Sequence, residues 1–482
     1  MTDTQALTGG SWRELLGPKN LGAATVLAGG VALYATNEFL TISLMPSAVA
    51  EIGGQRYYAW VTTVYLVASV AAATTVSATL ARLGPRSAYL GALTVFAAGS
   101  VLCAVAPTME LLLVGRMVQG AAGGLLAGLG YAVINAALPR ALWTRASALV
   151  SAMWGVGTLL GPAAGGLFAQ FGSWRWAFGA LVILTVAMTA LVPLALPGRS
   201  EAGSTEAIRI PVWSLVLLGA AALLVSVAGI PSELLLTGGL LAASVALVGV
   251  FLVVDRRTGA SVLPPTAFRP GPLKWVYLTL GLLMAATMVD MYVPLFGQRL
   301  AHLAPLTAGF LGVALAVGWT ASEIISASVN RRTAVVRIVL ASPLVMAIGL
   351  GAGALLVRDG MPGWLALLWA LTLAVTGTGI GMAWPHLSVW AMTGVDDPAE
   401  GPVAAAAINT VQLICGAFGA GVAGVIVNRA AGADAVAARW LFAGFTALAV
   451  VGVIASWRAG VRSRDESQEV SESVHHSPLR LP

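Results

Sequence analysis

Apolar runs of 19 to 30 residues recur along almost the whole chain, separated by short polar turns. They lie near residues 22–48, 58–80, 88–106, 111–136, 146–170 and 175–196, then 212–230 and 234–254. Six more follow near 275–297, 306–328, 336–357, 363–392, 402–428 and 439–457. A helix rises 1.5 Å per residue, so each run is long enough for about 30 Å of hydrocarbon. No soluble layer architecture absorbs so many such runs, and the reading is an all-α polytopic membrane protein of fourteen spans.

Composition agrees. Charged residues are 10% of 482, against about 25% in soluble domains. The formal charge of +6 is spread over short loops, which argues against a nucleic-acid partner. Cys103 and Cys415 fall inside apolar runs and read as small buried hydrophobes, and no His, Cys or Asp group has metal-ligand spacing. There is no phosphate-binding Gly-x-x-x-x-Gly-Lys-Ser/Thr loop and no long soluble segment to carry catalysis, so neither a primary pump nor an enzyme is expected. No cofactor is implied.

The expected organisation is a cytoplasmic N-terminal segment, 1–20, and a first group of six spans, 21–196. A connecting region, 197–274, holds the two extra spans. A second group of six covers 275–457, and 458–482 is a polar tail expected to be disordered. With the N-terminus inside, alternation puts 19 of the 26 basic residues on the cytoplasmic side and six outside, with Arg116 left within a span. That is the bias of a cytoplasmic-membrane protein with both termini inside, and it favours an even number of spans, with twelve the alternative to fourteen if the 212–254 pair is re-entrant.

One stretch, Gly155 to Phe178, carries Gly157, Gly161 and Gly165 on one helix face, with Pro162 inside the stripe and Gly166 beside it. Small residues at that spacing let a second helix approach closely, and the proline removes a backbone donor and bends the helix. With Gly155 and the Trp174-Arg175-Trp176 turn, this stretch resembles the antiporter motif of major facilitator exporters. Arg116, Gln119 and Gly120 resemble that family's fourth-helix pattern. Tyr292, Pro294 and Gln298 resemble its Tyr-x-Pro-x-x-x-Gln, and Asn409, Thr410, Gln412, Gly416 and Gly419 its glycine-rich thirteenth helix. The six, two and six arrangement is similar to the fourteen-span drug:proton antiporters.

The resemblance implies the major facilitator fold, two pseudo-symmetric six-helix bundles with two extra helices between them and a substrate site at mid-membrane. Two departures stand out. In the loop between helices 2 and 3, Arg82, Gly84 and Arg86 remain, but Ser77, Ala81 and Pro85 replace the family's Gly, Asp and Arg. In helix 1, Asn37 stands where relatives often carry Asp, with Glu38 next to it.

Charges inside a span persist when they face a cavity or a partner. Glu38, Arg116 and Asp290 are therefore the candidates for proton coupling, with Glu38 as the carrier that pairs with Arg116 when deprotonated. A structural ion pair is the alternative for these two, and snorkelling to the interface the alternative for Asp290. Glu323 and Arg331, with Arg82, Gly84 and Arg86, are the candidates for a cytoplasmic gate, and a solvated helix end is the other reading of Glu323. Tyr34, Asn37, Phe39, Gln119, Trp154, Tyr292, Gln298, Trp319 and Trp384 are the expected cavity lining, since aromatic faces accept flat hydrophobic or cationic compounds. Packing is the alternative for each aromatic. Trp174, Trp364 and Trp457 are expected at the membrane interface.

The function this implies is a proton-coupled bacterial exporter of amphipathic or hydrophobic small molecules, working as a monomer in the lipid bilayer by alternating access. A dedicated exporter of an endogenous lipid, siderophore or antibiotic, or a non-transporting membrane scaffold, are the other readings.

Overall fold

The computed structural model describes residues 11–198, 210–329, 331–430 and 432–475, with side chains through Gly460. The expected N-terminal segment is thus described from residue 11, and most of the 197–209 linker lies outside the described residues.

Every described element is helical. In chain order the long helices are α1 (Leu21–Ile52), α2 (Trp60–Ala73), α3 (Val76–Ala104), α4 (Met109–Ala132), α5 (Trp143–Phe171) and α6 (Trp174–Ala195). Then come α7 (Val212–Ala228), α8 (Leu234–Arg257) and α9 (Leu273–Leu300), whose residues Met288–Tyr292 form a tighter 3₁₀ turn. The last are α10 (Pro305–Ala327), α11 (Arg332–Leu356), α12 (Gly363–Thr393), α13 (Gly401–Arg429) and α14 (Asp434–His475).

Eleven of the described helices are long and apolar enough to cross a membrane. The other three explain why the expected count of fourteen does not emerge from length and composition alone. Helix α7 is apolar but has 17 residues. The expected second span is broken at Thr74-Thr75, so α2 has only 14 residues, and its continuation belongs to α3, which changes direction at Gly84. There φ is +75°, in the left-handed region that a side chain resists, and Pro85 follows. Helix α1 has 32 residues but carries Asn37 and Glu38. At the far end, α14 runs to His475, past the expected boundary at 457, where a disordered tail was expected; residues 476–482 lie outside the described residues.

The packing follows one scheme twice. In the first half α1 packs on α4, α5 and α6, α3 on α4 and α6, and α2 on α4. In the second half α9 packs on α12, α13 and α14, α11 on α12 and α14, and α10 on α12. Adding eight to each label of the first set gives the second. The contacts between halves obey the same rule with the partners exchanged: α5 lies on α10, and α2 on α13.

The glycines make these approaches possible. A Cβ on Gly157 would lie 2.5 Å from Ala35 Cβ, one on Gly161 2.6 Å from Phe39 Cβ, and one on Gly165 2.4 Å from the Leu40 carbonyl oxygen. The stripe read from the sequence is therefore the face that α5 turns to α1. Gly166 faces the other half, where its Cβ would lie 2.6 Å from Leu306 Cα. Gly155 has nothing within 4 Å and takes no part in this packing, contrary to expectation.

Hydrogen bonds joining the halves gather at one end, that of the turns after α1, α5 and α9. Arg299 donates to Gln55 (3.0 Å), the Leu306 amide to Gln170 (3.3 Å), and Asn428 to the Arg56 carbonyl (2.9 Å). Tyr58 stacks on Tyr292 there, ring centroids 4.8 Å apart. At the opposite end the described bonds tie the segment before α9 to the second half: Arg269 pairs with Asp396 at 2.7 Å, and the Thr266 amide donates to Glu400 at 3.0 Å. We call these the closed and the open end.

Candidate functional site

Arg116 is almost fully buried, because α4 carries it into the angle between α1 and α2. Its Nη1 donates to Asn37 Oδ1 (3.0 Å) and Gln119 Oε1 (2.9 Å), and its Nε to the Val61 carbonyl (3.4 Å). The guanidinium carbon stands 4.0 Å from the centroid of the Tyr65 ring. Gln119 passes the network on, donating to Ser100 Oγ at 2.8 Å and accepting from Cys103 Sγ at 3.4 Å. A guanidinium spreads its charge over several donors and is weakly hydrated, so amide oxygens and a π face can hold it out of water.

The expected Glu38–Arg116 pair is absent in this conformation. The three ion pairs among the described residues are Arg175–Glu51, Arg269–Asp396 and Arg299–Asp434. Asn37, adjacent to Glu38 in sequence, takes the arginine instead, since one helical step rotates neighbouring side chains by about 100°. Glu38 stands half-buried beside it.

Tyr34 is buried between Tyr65 (5.5 Å, stacked) and Trp154 (5.4 Å, edge-on). A residue the sequence did not single out, Tyr65 of α2, thus links Tyr34 of α1 to Arg116 of α4. In the second half Trp319 and Trp384 meet at 5.6 Å.

Asp290 sits in the 3₁₀ turn of α9, on the seam between the halves. It shares a narrow crevice with Phe39 and Ser43 of α1, Thr158 and Pro162 of α5, and Gly312 of α10. One carboxylate oxygen, Oδ1, is buried and makes no hydrogen bond, and a Cβ on Gly312 would lie 2.9 Å from it. Pro162 does more than bend α5. Its carbonyl oxygen accepts from Ser43 Oγ at 3.3 Å, and a Cβ on Gly309 of α10 would lie 3.3 Å from the same oxygen.

Other expectations are redirected. Tyr292 is buried in the closed end, stacked on Tyr58 and Phe296, and Gln298 Nε2 is buried there without a partner. Both belong to the seal in this conformation. Glu323 accepts from Trp319 Nε1 at 2.9 Å and makes no ion pair with Arg331, because one helical turn brings the indole within reach. Arg82 and Arg331 are exposed at the open end. Trp174 is buried and donates to Glu51 Oε2 at 2.6 Å, so it is a packing residue, whereas Trp364 and Trp457 are exposed.

Comparison with known proteins decides the family. The model of the Major Facilitator Superfamily matches residues 27–420. The chain belongs to the major facilitator superfamily. A probable multidrug-efflux transporter of Mycobacterium tuberculosis is 61% identical to this major facilitator protein over 471 residues, covering 96% of this chain and 99% of the relative. Among solved structures, a bacterial homologue of the human lysosomal transporter Spinster aligns with a TM-score of 0.65 at 12% identity, covering 93% of this chain and 98% of that one. A D-xylose-proton symporter aligns at 0.61 and 13%, covering 91% and 96%. At such identities these two share its fold. It is a multi-pass membrane transporter of small molecules and not an enzyme.

Proposed function

We propose that this transporter is a proton-coupled exporter of amphipathic and hydrophobic small molecules, built as two pseudo-symmetric six-helix bundles with α7 and α8 between them, fourteen spans in all. The repeated packing scheme supports the two bundles. The crowding of basic residues in the turns of the open end supports a cytoplasmic position for that end and for both termini. The 61% identity to a probable multidrug-efflux transporter supports the substrate class.

The observation that carries proton coupling is the partnerless carboxylate oxygen of Asp290 on the seam. A carboxylate without donors is expensive away from water, and a proton removes the charge. Rocking of the halves changes what surrounds the seam, so it couples the protonation of Asp290 to the conformation. The substrate enters from the cytoplasmic side against Tyr34, Tyr65 and Trp154, whose faces accept flat or cationic compounds with little directional demand. Glu38 supplies a second acid on the first-half wall, beside the arginine network.

The test is a panel of lipophilic cations and neutral compounds added to proteoliposomes containing a lumenal pH indicator. Protons are expected to move opposite to several unrelated compounds. A response to one compound class alone would mark a dedicated exporter, and no proton movement with any would leave the scaffold reading.

A further inference from the structure

Helix α7 touches both halves and α8 reaches the second half through Thr237, by different kinds of contact. Against α2 of the first half, Ser226 Oγ of α7 donates to Thr63 Oγ1 at 3.0 Å, and Trp60 Nε1 donates to the Ser226 carbonyl at 3.2 Å. These are two neutral bonds. Against the second half, Arg429 at the end of α13 reaches around the α7–α8 turn. It donates to the Ser232 carbonyl (2.9 Å), the Glu233 carbonyl (3.1 Å) and the Thr237 hydroxyl. Bonds from a charged donor are roughly twice as strong as neutral ones.

Backbone approach adds to this. A Cβ on Gly421 of α13 would lie 3.0 Å from Ser226 Oγ, and one on Gly229 3.2 Å from the Val425 nitrogen. At the opposite end, buried Asp255 closes α8. It accepts from Ser214 (2.7 Å) and from the amides of Val262 (2.7 Å) and Leu263 (3.0 Å), fixing the segment that leads into α9. That segment is in turn held to the second half through Thr266, Glu400 and Asp396.

Asn428 stands where all three units meet. From α13 its amide donates to the Arg56 carbonyl of the first half (2.9 Å) and to the Gly229 carbonyl of the α7–α8 turn (3.1 Å).

We infer that α7 and α8 ride with the second half as a clasp, and that Asn428–Arg56, Ser226–Thr63 and Trp60–Ser226 are the bonds that break when the closed end opens. The clasp biases the transporter toward the state with that end shut. Asn428 and Thr63 are positioning residues, since they touch no part of the site described above. The inference uses the rocking of the halves from the proposed function, and the measurement separates the two.

Spin labels are placed pairwise at exposed closed-end positions, Phe171 (first half), Leu235 (α8) and Asp359 (second half), in a Cys103→Ser, Cys415→Ser background in proteoliposomes. Distances are read by electron–electron resonance at high and low pH. The Phe171–Asp359 distance is expected to be bimodal, and Leu235 to keep its distance from Asp359 while its distance from Phe171 changes. Asn428→Ala and Thr63→Val are each expected to raise the ratio of long to short Phe171–Asp359 distances about three- to tenfold, the range one hydrogen bond carries. Thr63→Ser, which keeps the hydroxyl, should leave it unchanged. If Leu235 instead keeps its distance from Phe171, or the ratio is unmoved by both variants, the clasp is wrong. A single fixed Phe171–Asp359 distance under every condition would overturn the rocking as well.

Discussion

Arg116 shows how a full charge is kept in a membrane interior without a carboxylate. Two side-chain oxygens, a backbone carbonyl and a tyrosine face surround it. Removing one acceptor leaves a buried donor unmet, which costs about 1–3 kcal/mol. Asn37→Leu is therefore expected to lower the melting temperature of the purified protein and to weaken transport, while Asn37→Asp, which supplies an anion to the same Nη1, restores the melting temperature. Equal melting of Asn37→Leu and the parent protein would show that the network contributes nothing to stability. The sequence made Arg116 and Gln119 conspicuous through their motif. It did not show that Asn37 rather than Glu38 meets the guanidinium, because that choice depends on how α1 is rotated against α4, and both residues share one turn. Tyr65 was overlooked for a related reason: an aromatic in an apolar run carries no signal of its own until its neighbours are placed.

Among the elements, α5 was the most legible. Its glycines at spacings of four are the face packed on α1, and the packing distances leave no room for a side chain at Gly165. Forcing a methyl into such a contact costs about 1–3 kcal/mol. Gly165→Ala should thus lower both thermal stability and transport, while Gly155→Ala, facing open space, should change neither. Equal tolerance of the two, measured side by side, would mean that the stripe is not a packed joint. The division between α2 and α3 was less legible. The apolar run is continuous through Thr74-Thr75, and only the backbone shows the interruption there and the change of direction at Gly84. The cap on α8 was not legible, since the three donors converging on Asp255 come from residues 7, 8 and 41 positions away.

For the whole molecule, the repeat of one packing scheme eight helices apart, with exchanged partners across the seam, is the feature from which the proposed motion follows. Under that proposed motion Asp290 would lie between the two moving halves, and Arg116 inside one of them. The length of the apolar runs was enough to anticipate the eleven described helices that can cross a membrane, and loop charge suggested a sidedness. The seam was not legible, because it joins residues more than a hundred positions apart, such as Arg56 and Asn428 or Gln170 and Leu306. The most direct test of the account asks Asp290→Asn to separate substrate movement from proton coupling. Proteoliposomes are loaded with a transported compound, and two rates are measured: exchange of labelled for unlabelled compound without a gradient, and accumulation driven by an imposed pH gradient. The account predicts that exchange persists within about twofold while gradient-driven accumulation falls at least tenfold, a loss of about 1.4 kcal/mol or more of coupling. Accumulation at the parent rate in Asp290→Asn would contradict it.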